Sequence, residues 1–332
     1  MRYGKRKIHH GEFGPNMKNK TILVTGGTGF VGAHLVESLI KLGANVIVVD
    51  INLDKKSYFY TQKLDLQSTV INLDICNYSK LLNLIEKYKV EFIFHLAAQA
   101  LVDAAYRDPK HTLVNNIVST INILEAVRIN PEICGLVVAS SDKSYGKLHK
   151  DKYIETDPLS GDHPYDTSKS ATDLITTAYC KTYGIPAVVT RFGNIYGEGD
   201  PNMSRIIPGI MNSIINDQTL EIRSDGTFIR DYLYVKDVVV GYILLAQNID
   251  KVRGQAYNFG SDDTFSVLKL IEEVGKTLGK EIPYKIQNTA KNEIPYQSLN
   301  FDKIQSAIGW KPKETVSSTA NRILDWYAKQ IR

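Results

Sequence analysis

Short, continuously apolar runs alternate with helix-length segments through the first two-thirds of this 332-residue chain. Such runs are typical of strands that are covered on both faces, and the intervening helices predict right-handed crossovers between parallel strands. Strands are predicted at residues 21–25, 45–50, 70–73, 91–96, 136–140 and 187–191, and helices at residues 30–42, 79–89, 111–130 and 164–183. The alternation therefore predicts an α/β fold with a doubly wound parallel sheet.

The rhythm changes after about residue 193, where glycine, asparagine and proline cluster and the elements become shorter. A helix predicted at 237–247 and a strand at 256–260 return to the large sheet, and a last helix is predicted near 317–330. We expect a large sheet domain made of residues 19–192 plus about 234–261. We expect a smaller mixed α/β lobe made of residues 193–233 plus 262–332.

Positive charge is concentrated at the amino terminus. The formal net charge is +4, yet residues 1–20 contain six Lys and Arg residues against Glu12 alone. We expect residues 1–18 to form a flexible basic leader; a contact to nucleic acid or phosphate is the alternative. The rest of the chain lacks the basic stripe that nucleic-acid binding uses, so no nucleic-acid partner is expected.

The lengths of the apolar runs and the number and spacing of the cysteines indicate the cellular environment of the protein. The longest apolar runs reach about nine residues, whereas a membrane-spanning helix needs about twenty, so we expect no membrane span. The start of the chain also lacks the apolar core of a secretion signal. Three cysteines without CxxC spacing argue against a disulfide framework or a zinc site. We therefore expect a cytoplasmic protein without a bound metal.

A glycine-rich turn joins the first predicted strand to the first predicted helix. Gly26, Gly29 and Gly32 have the spacing that supplies a tight turn, a close approach to a pyrophosphate, and close packing of the helix on the sheet. The helix that opens at Phe30 and Val31 would present its first N–H groups to the phosphates. The turn therefore predicts a Rossmann-type dinucleotide site, with a purely structural turn as the alternative.

The ends of the next strands supply further candidate cofactor contacts. Asp50 would accept hydrogen bonds from the adenosine ribose hydroxyls and would repel a 2′-phosphate, which favours NAD over NADP. Asp74 and Ile75 can reach the adenine edge, although Asp74 is as well explained as a turn or N-cap residue. Small residues after the fourth strand would let backbone lie against the cofactor, or serve packing alone. These residues are Leu96, Ala97, Ala98 and Gln99.

Tyr165 and Lys169 are four residues apart on a predicted helix, so they share one face. A neighbouring ammonium and an oxidised nicotinamide would lower the pKa of a tyrosine from its usual value near 10 and make the phenolate usable as a base. Ser141, at the end of the fifth strand, can hydrogen-bond the substrate oxygen from which the phenolate would take a proton. The Tyr-x-x-x-Lys spacing is common by chance, and its place after a cofactor-type sheet is what favours a catalytic role.

These motifs together resemble one family, the extended short-chain dehydrogenases/reductases that act as nucleotide-sugar epimerases and dehydratases. The matching runs, between residues 21 and 237, are TGGTGFVGAHL, Asp50, HLAAQ, Asn115-Asn116, SSDKSYG, PYDTSK, RFGNIYG and RDYLYVKD. The resemblance implies that Ser141, Tyr165 and Lys169 form the catalytic triad. It also implies that Tyr165, Lys169 and Asn115 contact NAD; for Asn115, helix capping or helix–helix bonding is the alternative.

The run Ser141-Asp142-Lys143 bears on the subfamily. The common 4,6-dehydratases have Thr-Asp-Glu there, and the CDP-glucose 4,6-dehydratases, which carry Asp-Lys, resemble this chain more closely. Elimination of water needs an acid and a base beside the triad, and epimerisation does not. We expect Asp142 to be the acid and, with a lowered pKa, Lys143 to be the base that removes the C5 proton. A surface ion pair is the alternative.

Three residues are candidates for substrate binding. The resemblance implies that Asn194 contacts the substrate phosphates, and Arg205 and Arg230 could clamp a pyrophosphate with bidentate hydrogen bonds. For either arginine, a surface salt bridge is the alternative. The histidines lack metal-ligand spacing.

The predicted function is that of an NAD-dependent nucleotide-sugar 4,6-dehydratase, a lyase, with a substrate-binding second lobe. A CDP-glucose-like substrate is expected first, and a GDP-, UDP- or dTDP-hexose is possible. A nucleotide-sugar 4-epimerase with the same triad is the alternative enzyme. A non-catalytic NAD-binding sensor is the alternative of another class.

The helix predicted at residues 111–130 also bears on assembly. Its main apolar stripe is widened by Val114, Val118 and Val127, and Ile123 lies away from it. A helix that is apolar over so much of its circumference needs cover on more than its sheet side. The resemblance suggests a homodimer in which this helix and the helix at 164–183 form a four-helix bundle; cover from residues 51–69 is the alternative. The stripe comprises Leu113, Ile117, Ile121 and Leu124.

Overall fold

The structure is a computed structural model that describes residues 17–289 and 294–331. Thirteen strands lie in these ranges: β1 (Thr21–Thr25), β2 (Asn45–Asp50), β3 (Thr69–Asn72), β4 (Phe92–His95), β5 (Gly135–Ala139), β6 (Ala187–Phe192), β7 (Asn194–Tyr196), β8 (Leu220–Ile222), β9 (Ile229–Tyr234), β10 (Ala256–Phe259), β11 (Thr264–Ser266), β12 (Tyr284–Ile286) and β13 (Tyr296–Gln297).

Twelve α-helices connect and cover the strands within the same ranges. They are α1 (Phe30–Lys41), α2 (Tyr58–Thr61), α3 (Tyr78–Tyr88), α4 (Val102–Arg107), α5 (Pro109–Ile129), α6 (Pro164–Tyr183), α7 (Ile206–Asn216), α8 (Val235–Gln247), α9 (Ile249–Val252), α10 (Val267–Leu278), α11 (Asp302–Ile308) and α12 (Val316–Ile331). None of the helices described is long and apolar enough to cross a bilayer.

Seven strands form one sheet in the order β10-β6-β5-β4-β1-β2-β3, and every neighbouring pair is parallel. The prediction of a doubly wound parallel sheet is confirmed. The predicted strands have the observed bounds or differ from them by one residue at an end, because an end residue belongs as much to the following loop as to the ladder.

Burial on both faces explains why the strands read as continuous apolar runs. Ile22 and Val24 of β1 pack in a cluster with α1 and α8, whereas Leu23 between them packs in a second cluster with α3 and α5. Successive side chains of a strand point to opposite faces, so a central strand in a three-layer fold needs an apolar residue at every position.

The buried face of helix α5 coincides only in part with its predicted apolar stripe, of which Leu124 is fully buried. Ile123, which lies away from the predicted stripe, is fully buried, and Asn116 and Thr120 are almost fully buried beside it. Val114 is 49% exposed. The inward face of α5 is therefore largely polar, and part of its apolar surface stays uncovered within one chain.

The second lobe contains two small sheets, one of β11, β9 and β13 with β7 paired to β9, and one of β12 and β8. A third apolar cluster, which includes Ile210 of α7, Leu270 of α10 and Ile323 of α12, holds this lobe together. Trp310, after α11, packs instead in the large-domain cluster and donates its Nε1–H to the Asp237 carbonyl oxygen at 3.0 Å. The chain thus crosses back to the large domain within the segment assigned to the lobe, and the domain division stays a prediction.

The predicted basic leader at residues 1–18 lies mostly outside the residues that the structure describes. Its last part does not: Met17 is 1% exposed and belongs to the cluster that includes α1 and α8. Asn19 continues from it by donating its N–H to the Gly43 carbonyl oxygen at 2.8 Å. The folded part of the chain is therefore already present at Met17.

Candidate active site

A cleft of about 2680 Å³ runs along the carboxyl ends of the parallel strands and continues between the two lobes. Ligands bind at this edge in open α/β sheets, because the loops that follow the strands converge there. Every site residue that the sequence analysis singles out lines this one cleft.

The glycine turn shapes the floor of the cleft. Gly26 has a φ of +71°, and a Cβ there would lie 2.8 Å from the Ala97 backbone nitrogen. A Cβ on Gly32 would collide with the Gly26 carbonyl oxygen and lie 2.8 Å from the Gly27 Cα. Both positions therefore require glycine, and α1 begins directly after Gly29 with its first N–H groups at the cleft. The shape fits a bound pyrophosphate.

Asp50 at the end of β2 is held by four hydrogen bonds. Its Oδ2 accepts from the Thr28 hydroxyl at 2.7 Å and the Thr28 N–H at 3.2 Å. Its Oδ1 accepts from the N–H groups of Ile51 at 2.8 Å and Asn52 at 3.1 Å. The carboxylate is thus fixed at the rim where a ribose would lie. Thr28, inside the glycine turn, is a residue that the sequence analysis did not assign.

Asp74 and Ile75 follow β3 and line the same part of the cleft. Asp74 is exposed, and its Oδ1 accepts from the Cys76 N–H at 2.8 Å, whereas Ile75 is buried. Asn77 is the residue that caps α3, since its side chain accepts from the Lys80 N–H. Asp74 therefore shapes a turn in addition to facing the cleft.

The loop after β4 is anchored by Asn116 rather than by Asn115. Asn116 is 2% exposed, its Oδ1 accepts from the Gln99 N–H at 2.8 Å, and its Nδ2–H donates to Gln99 O at 3.1 Å and Ser168 Oγ at 2.9 Å. Asn115 lines the cleft and donates to Asn116 Oδ1 at 3.0 Å. Asn116 thereby ties the backbone of the Leu96–Gln99 turn to α6. The sequence shows two adjacent asparagines, but it does not show which of the two the helix buries.

Ser141, Tyr165 and Lys169 all line the cleft, and Ser141 and Tyr165 are joined by a hydrogen bond. Burial raises the pKa of Tyr165 to about 12, while its hydrogen bond with Ser141 acts in the opposite direction. Burial lowers the pKa of Lys169 to about 8, and its Nζ donates to the Ala139 carbonyl oxygen at 2.8 Å. Lys169 therefore carries its proton at neutral pH, and it follows Tyr165 by one turn of α6.

Asp142 and Lys143 open a 3₁₀ turn, Asp142–Tyr145, directly after β5. Asp142 is 4% exposed and its Oδ1 accepts from the Ser141 hydroxyl at 2.9 Å. Lys143 donates its Nζ–H to Gln297 Oε1, a residue of β13 in the second lobe. The alternative of a surface Asp–Lys ion pair does not describe this arrangement, because Asp142 is buried and both side chains line the cleft.

A buried ion pair lies behind the site. The Arg191 guanidinium donates to both carboxylate oxygens of Asp173 at 2.7 and 3.0 Å, and to the Tyr145 hydroxyl at 2.6 Å. Asp173 belongs to α6 and Tyr145 to the 3₁₀ turn. Arg191 therefore joins the helix that carries Tyr165 and Lys169 to the turn that carries the Asp-Lys pair.

The three expected substrate-binding residues lie on the second-lobe side of the cleft. Asn194 begins β7 and is half-buried. Arg205 precedes α7 and pairs with Asp200 at 3.0 Å, the salt bridge considered as its alternative role. Arg230 is 8% exposed and donates to the Ile229 carbonyl oxygen at 2.8 Å. Two guanidinium groups thus border the part of the cleft away from the glycine turn.

The sequence profile of the NAD dependent epimerase/dehydratase family matches residues 22–260. A CDP-glucose 4,6-dehydratase of Salmonella typhimurium is 31% identical over 335 residues, covering 95% of this chain and 92% of that protein. Two solved structures are similar over nearly their whole length. The dTDP-glucose 4,6-dehydratase of Bacillus anthracis in complex with NAD has a TM-score of 0.81 at 27% identity, covering 93% of this chain and 97% of that one. The UDP-glucose 4-epimerase of Thermotoga maritima with UDP-glucose has a TM-score of 0.85 at 26% identity, covering 94% and 100%. This chain therefore belongs to the NAD-dependent epimerase/dehydratase family.

Proposed function

We propose that this protein is an NAD-dependent nucleotide-sugar 4,6-dehydratase, a lyase that converts an NDP-hexose to an NDP-4-keto-6-deoxyhexose. One observation carries the proposal: the buried Asp142 and the adjacent Lys143 line the cleft directly after Ser141, beside Tyr165 and Lys169. Oxidation at C4 needs only the triad, whereas loss of water across C5 and C6 needs additional acid–base groups.

The cradle at the glycine turn and the fixed carboxylate of Asp50 fit NAD. The first turn of α1 would hold the pyrophosphate, and Asp50 would accept hydrogen bonds from the adenosine ribose hydroxyls. Phe30, Val31 and the Leu96–Gln99 turn would flank the dinucleotide, with Asp74 and Ile75 at the adenine end. Bound NAD supplies an acceptor for the C4 hydride and later returns that hydride to C6.

Tyr165 would remove the proton of the C4 hydroxyl, and Ser141 would hydrogen-bond the same oxygen. A phenol whose pKa is raised to about 12 by burial is a poor base at neutral pH. The charged ammonium of Lys169 and a positively charged nicotinamide both favour the phenolate, so a bound cofactor would lower that pKa. The base would thus become effective when the oxidant is in place.

Once C4 is a ketone, the C5 proton becomes acidic. Asp142 would protonate the C6 hydroxyl as it leaves, and a base must take the C5 proton at the same time. Lys143 was the expected base. Its ammonium donates to Gln297 Oε1, a contact that favours the charged form, which cannot accept a proton.

The substrate nucleotide would lie against the second lobe. Asn194, Arg205 and Arg230 line that side of the cleft, and arginine is suited to bidentate contacts with a pyrophosphate. A CDP-hexose is proposed first because of the Ser-Asp-Lys run and the similarity to a CDP-glucose 4,6-dehydratase. The structural likeness to a UDP-glucose 4-epimerase favours 4-epimerisation as the second candidate.

The experiment is to incubate the protein with CDP-, GDP-, UDP- and dTDP-glucose and to follow product mass. The proposal predicts a product that has lost one water. Asp142→Asn should still reduce the cofactor on substrate addition and should slow water loss. A product of unchanged mass and inverted C4 configuration would establish the epimerase, and water loss by Asp142→Asn at the parent rate would remove Asp142 from the mechanism.

We also propose that the protein is a homodimer. Helices α5 and α6 pack on each other and expose apolar side chains beside that contact, Val114 and Ile129 on α5 and Leu174 on α6, which are 49%, 45% and 57% exposed. A four-helix bundle with the same two helices of a second copy would cover them. The residues between β2 and β3 form α2 and pack against α1 instead, so they do not supply that cover.

A further inference from the structure

We propose that Asp166, rather than Lys143, removes the C5 proton, so that Asp142 and Asp166 are the acid and the base of the elimination. The inference rests on the proposed 4,6-dehydratase activity and concerns a residue that neither the sequence motif nor the family match assigns to the chemistry. It is carried by the position of the Asp166 carboxyl and by the partners of its neighbours.

Asp166 lies in the first turn of α6, directly after Tyr165, and lines the cleft with Asp142 and Lys143. Asp166 is only 6% exposed. Within the part of the chain that the structure describes, no N–H or O–H group donates a hydrogen bond to its carboxylate. Because Asp166 lines the cleft, a bound molecule can reach this carboxylate. A substrate group in the cleft is the partner that this position leaves room for.

The neighbouring candidates already have hydrogen bonds that oppose the role of a base. The Lys143 ammonium donates to Gln297 Oε1, and Gln297 is 1% exposed, so this acceptor is fixed in the interior. The charge of Lys143 in turn lowers the pKa of Asp166 and so favours the Asp166 carboxylate. As an ammonium, Lys143 is therefore suited to stabilising negative charge beside the reacting carbons. Only the neutral amine could act as a base.

The charged groups around Asp166 come from three segments. Burial raises its pKa to about 6; Lys143 of the 3₁₀ turn acts in the opposite direction, Asp142 of that turn and Asp162 of the loop before α6 raise it, and Lys147 lowers it. At neutral pH the Asp166 carboxyl is therefore largely ionised, and its raised pKa makes the carboxylate a stronger base than an ordinary aspartate.

The Asp166 carboxylate takes the C5 proton, the C5–H electron pair becomes the C5=C6 bond, and the C6–O bond breaks as that oxygen takes the Asp142 proton and leaves as water. As the hydride returns to C6, Asp166, whose proton has exchanged with solvent, protonates C5. Tyr165 then holds the former C4 hydroxyl proton, and its release to solvent with uptake of one proton by Asp142 restores the starting state.

The test compares the parent protein with the variants Asp166→Asn, Lys143→Met and Asp162→Asn. The substrate is whichever of CDP-, GDP-, UDP- and dTDP-glucose the parent dehydrates. Three signals are followed in D₂O: cofactor reduction, incorporation of solvent deuterium at C5, and water loss. Asp162 is exposed and lies in the same local field, so Asp162→Asn is the matched control for removal of one charge.

We expect Asp166→Asn to bind NAD and reduce it on substrate addition, while C5 exchange and water loss fall about 100-fold or more. Lys143→Met should keep C5 exchange at a reduced rate, and Asp162→Asn should behave like the parent. Asp166→Glu, which restores a carboxyl, should recover part of the exchange. Cofactor reduction and a single cooperative melting transition establish that the variants are folded.

Two results overturn the inference in different ways. If the parent dehydrates a substrate and Asp166→Asn exchanges C5 hydrogen at the parent rate while Lys143→Met does not, Lys143 is the base and the inference alone fails. If the parent reduces its cofactor on substrate but neither exchanges C5 hydrogen nor loses water with any of the nucleotides, the proposed function fails and the inference falls with it.

Discussion

Replacement of Arg191 by methionine would leave Asp173 ionised and unpaired in the interior. The side chains of the pair are only 5% and 2% exposed, and two hydrogen bonds of 2.7 and 3.0 Å join them. The same guanidinium donates to the Tyr145 hydroxyl at 2.6 Å and to the Glu155 carbonyl oxygen at 3.2 Å. The substitution therefore removes four hydrogen bonds and strands one charge.

The expected loss is dominated by the stranded charge. Removing one partner of a buried pair costs about 3–5 kcal/mol, because the remaining ion has lost its compensation. Replacing both partners by apolar residues of similar volume is often nearly neutral. Arg191→Met should therefore lower the free energy of unfolding by about 4 kcal/mol. The double variant Arg191→Met with Asp173→Leu should recover much of that loss, and such a recovery means that the two sites are strongly coupled.

Urea unfolding followed by tryptophan fluorescence measures these changes, since Trp310 is 1% exposed in the large-domain cluster. Lys269→Met, which removes an exposed ion pair with Glu272, is the control and should leave the urea midpoint unchanged. Below the unfolding transition, Arg191→Met should slow water loss more than cofactor reduction, because the 3₁₀ turn loses its brace to α6. Additive losses in the double variant would refute the reasoning.

Three further outcomes follow from the charges and surfaces described. Folding raises the pKa of Asp166 from 3.8 to about 6 by burial, so the parent loses up to about 3 kcal/mol of stability as pH rises through that range and keeps it below. The melting temperature of Asp166→Asn relative to the parent should therefore be higher at alkaline than at acid pH, and the opposite trend would count against a raised pKa. Protein purified without added cofactor should carry NAD(H), and Asp50→Ala should narrow the preference for NAD over NADP; a parent that binds NADP more tightly would contradict the role of Asp50. Light scattering should report a dimer, and Val114→Glu with Leu174→Glu should yield a monomer; a fully active monomeric parent would rule out the bundle.

The parts of the fold that were predictable are those in which local pattern and burial agree. Strands β1 and β2 have the predicted bounds because every residue from Ile22 to Val24, and from Val46 to Val49, is apolar and buried between two helical layers. Gly26 and Gly32 were predictable for a related reason, since a close approach of backbone to backbone leaves a position that only glycine fills.

Helix α5 shows where periodicity misleads. Its apolar stripe was expected to need cover on more than the sheet side, yet Asn116 and Thr120 are buried with Ile123 while Val114 is half exposed. Polar residues can be buried there because each finds a partner: Asn116 bonds the loop after β4, and the Thr120 hydroxyl donates to the Asn116 carbonyl oxygen at 2.7 Å. A hydrophobicity pattern cannot anticipate a polar network whose partners are distant in sequence.

The chemistry of the site was predictable in kind and incomplete in detail. Tyr165, Lys169 and Ser141 follow from spacing and family resemblance, but Gln297 is 154 residues from the lysine that it accepts from. The burial of Asp166 depends on the loop before α6, which packs over its backbone at Gly161. Such contacts are set by how the chain folds back on itself, and no local motif encodes them.

The most direct test of a 4,6-dehydratase follows one hydrogen. The protein is given a nucleotide hexose that carries deuterium at C4, drawn from the CDP, GDP, UDP and dTDP series. The mass of the product and the position of its deuterium are then determined by mass spectrometry and NMR. The mechanism predicts a 4-keto product that has lost one water and carries the deuterium in its C6 methyl group, because the hydride removed from C4 returns to C6. Deuterium back at C4 of an intact hexose with inverted configuration would contradict the proposed elimination.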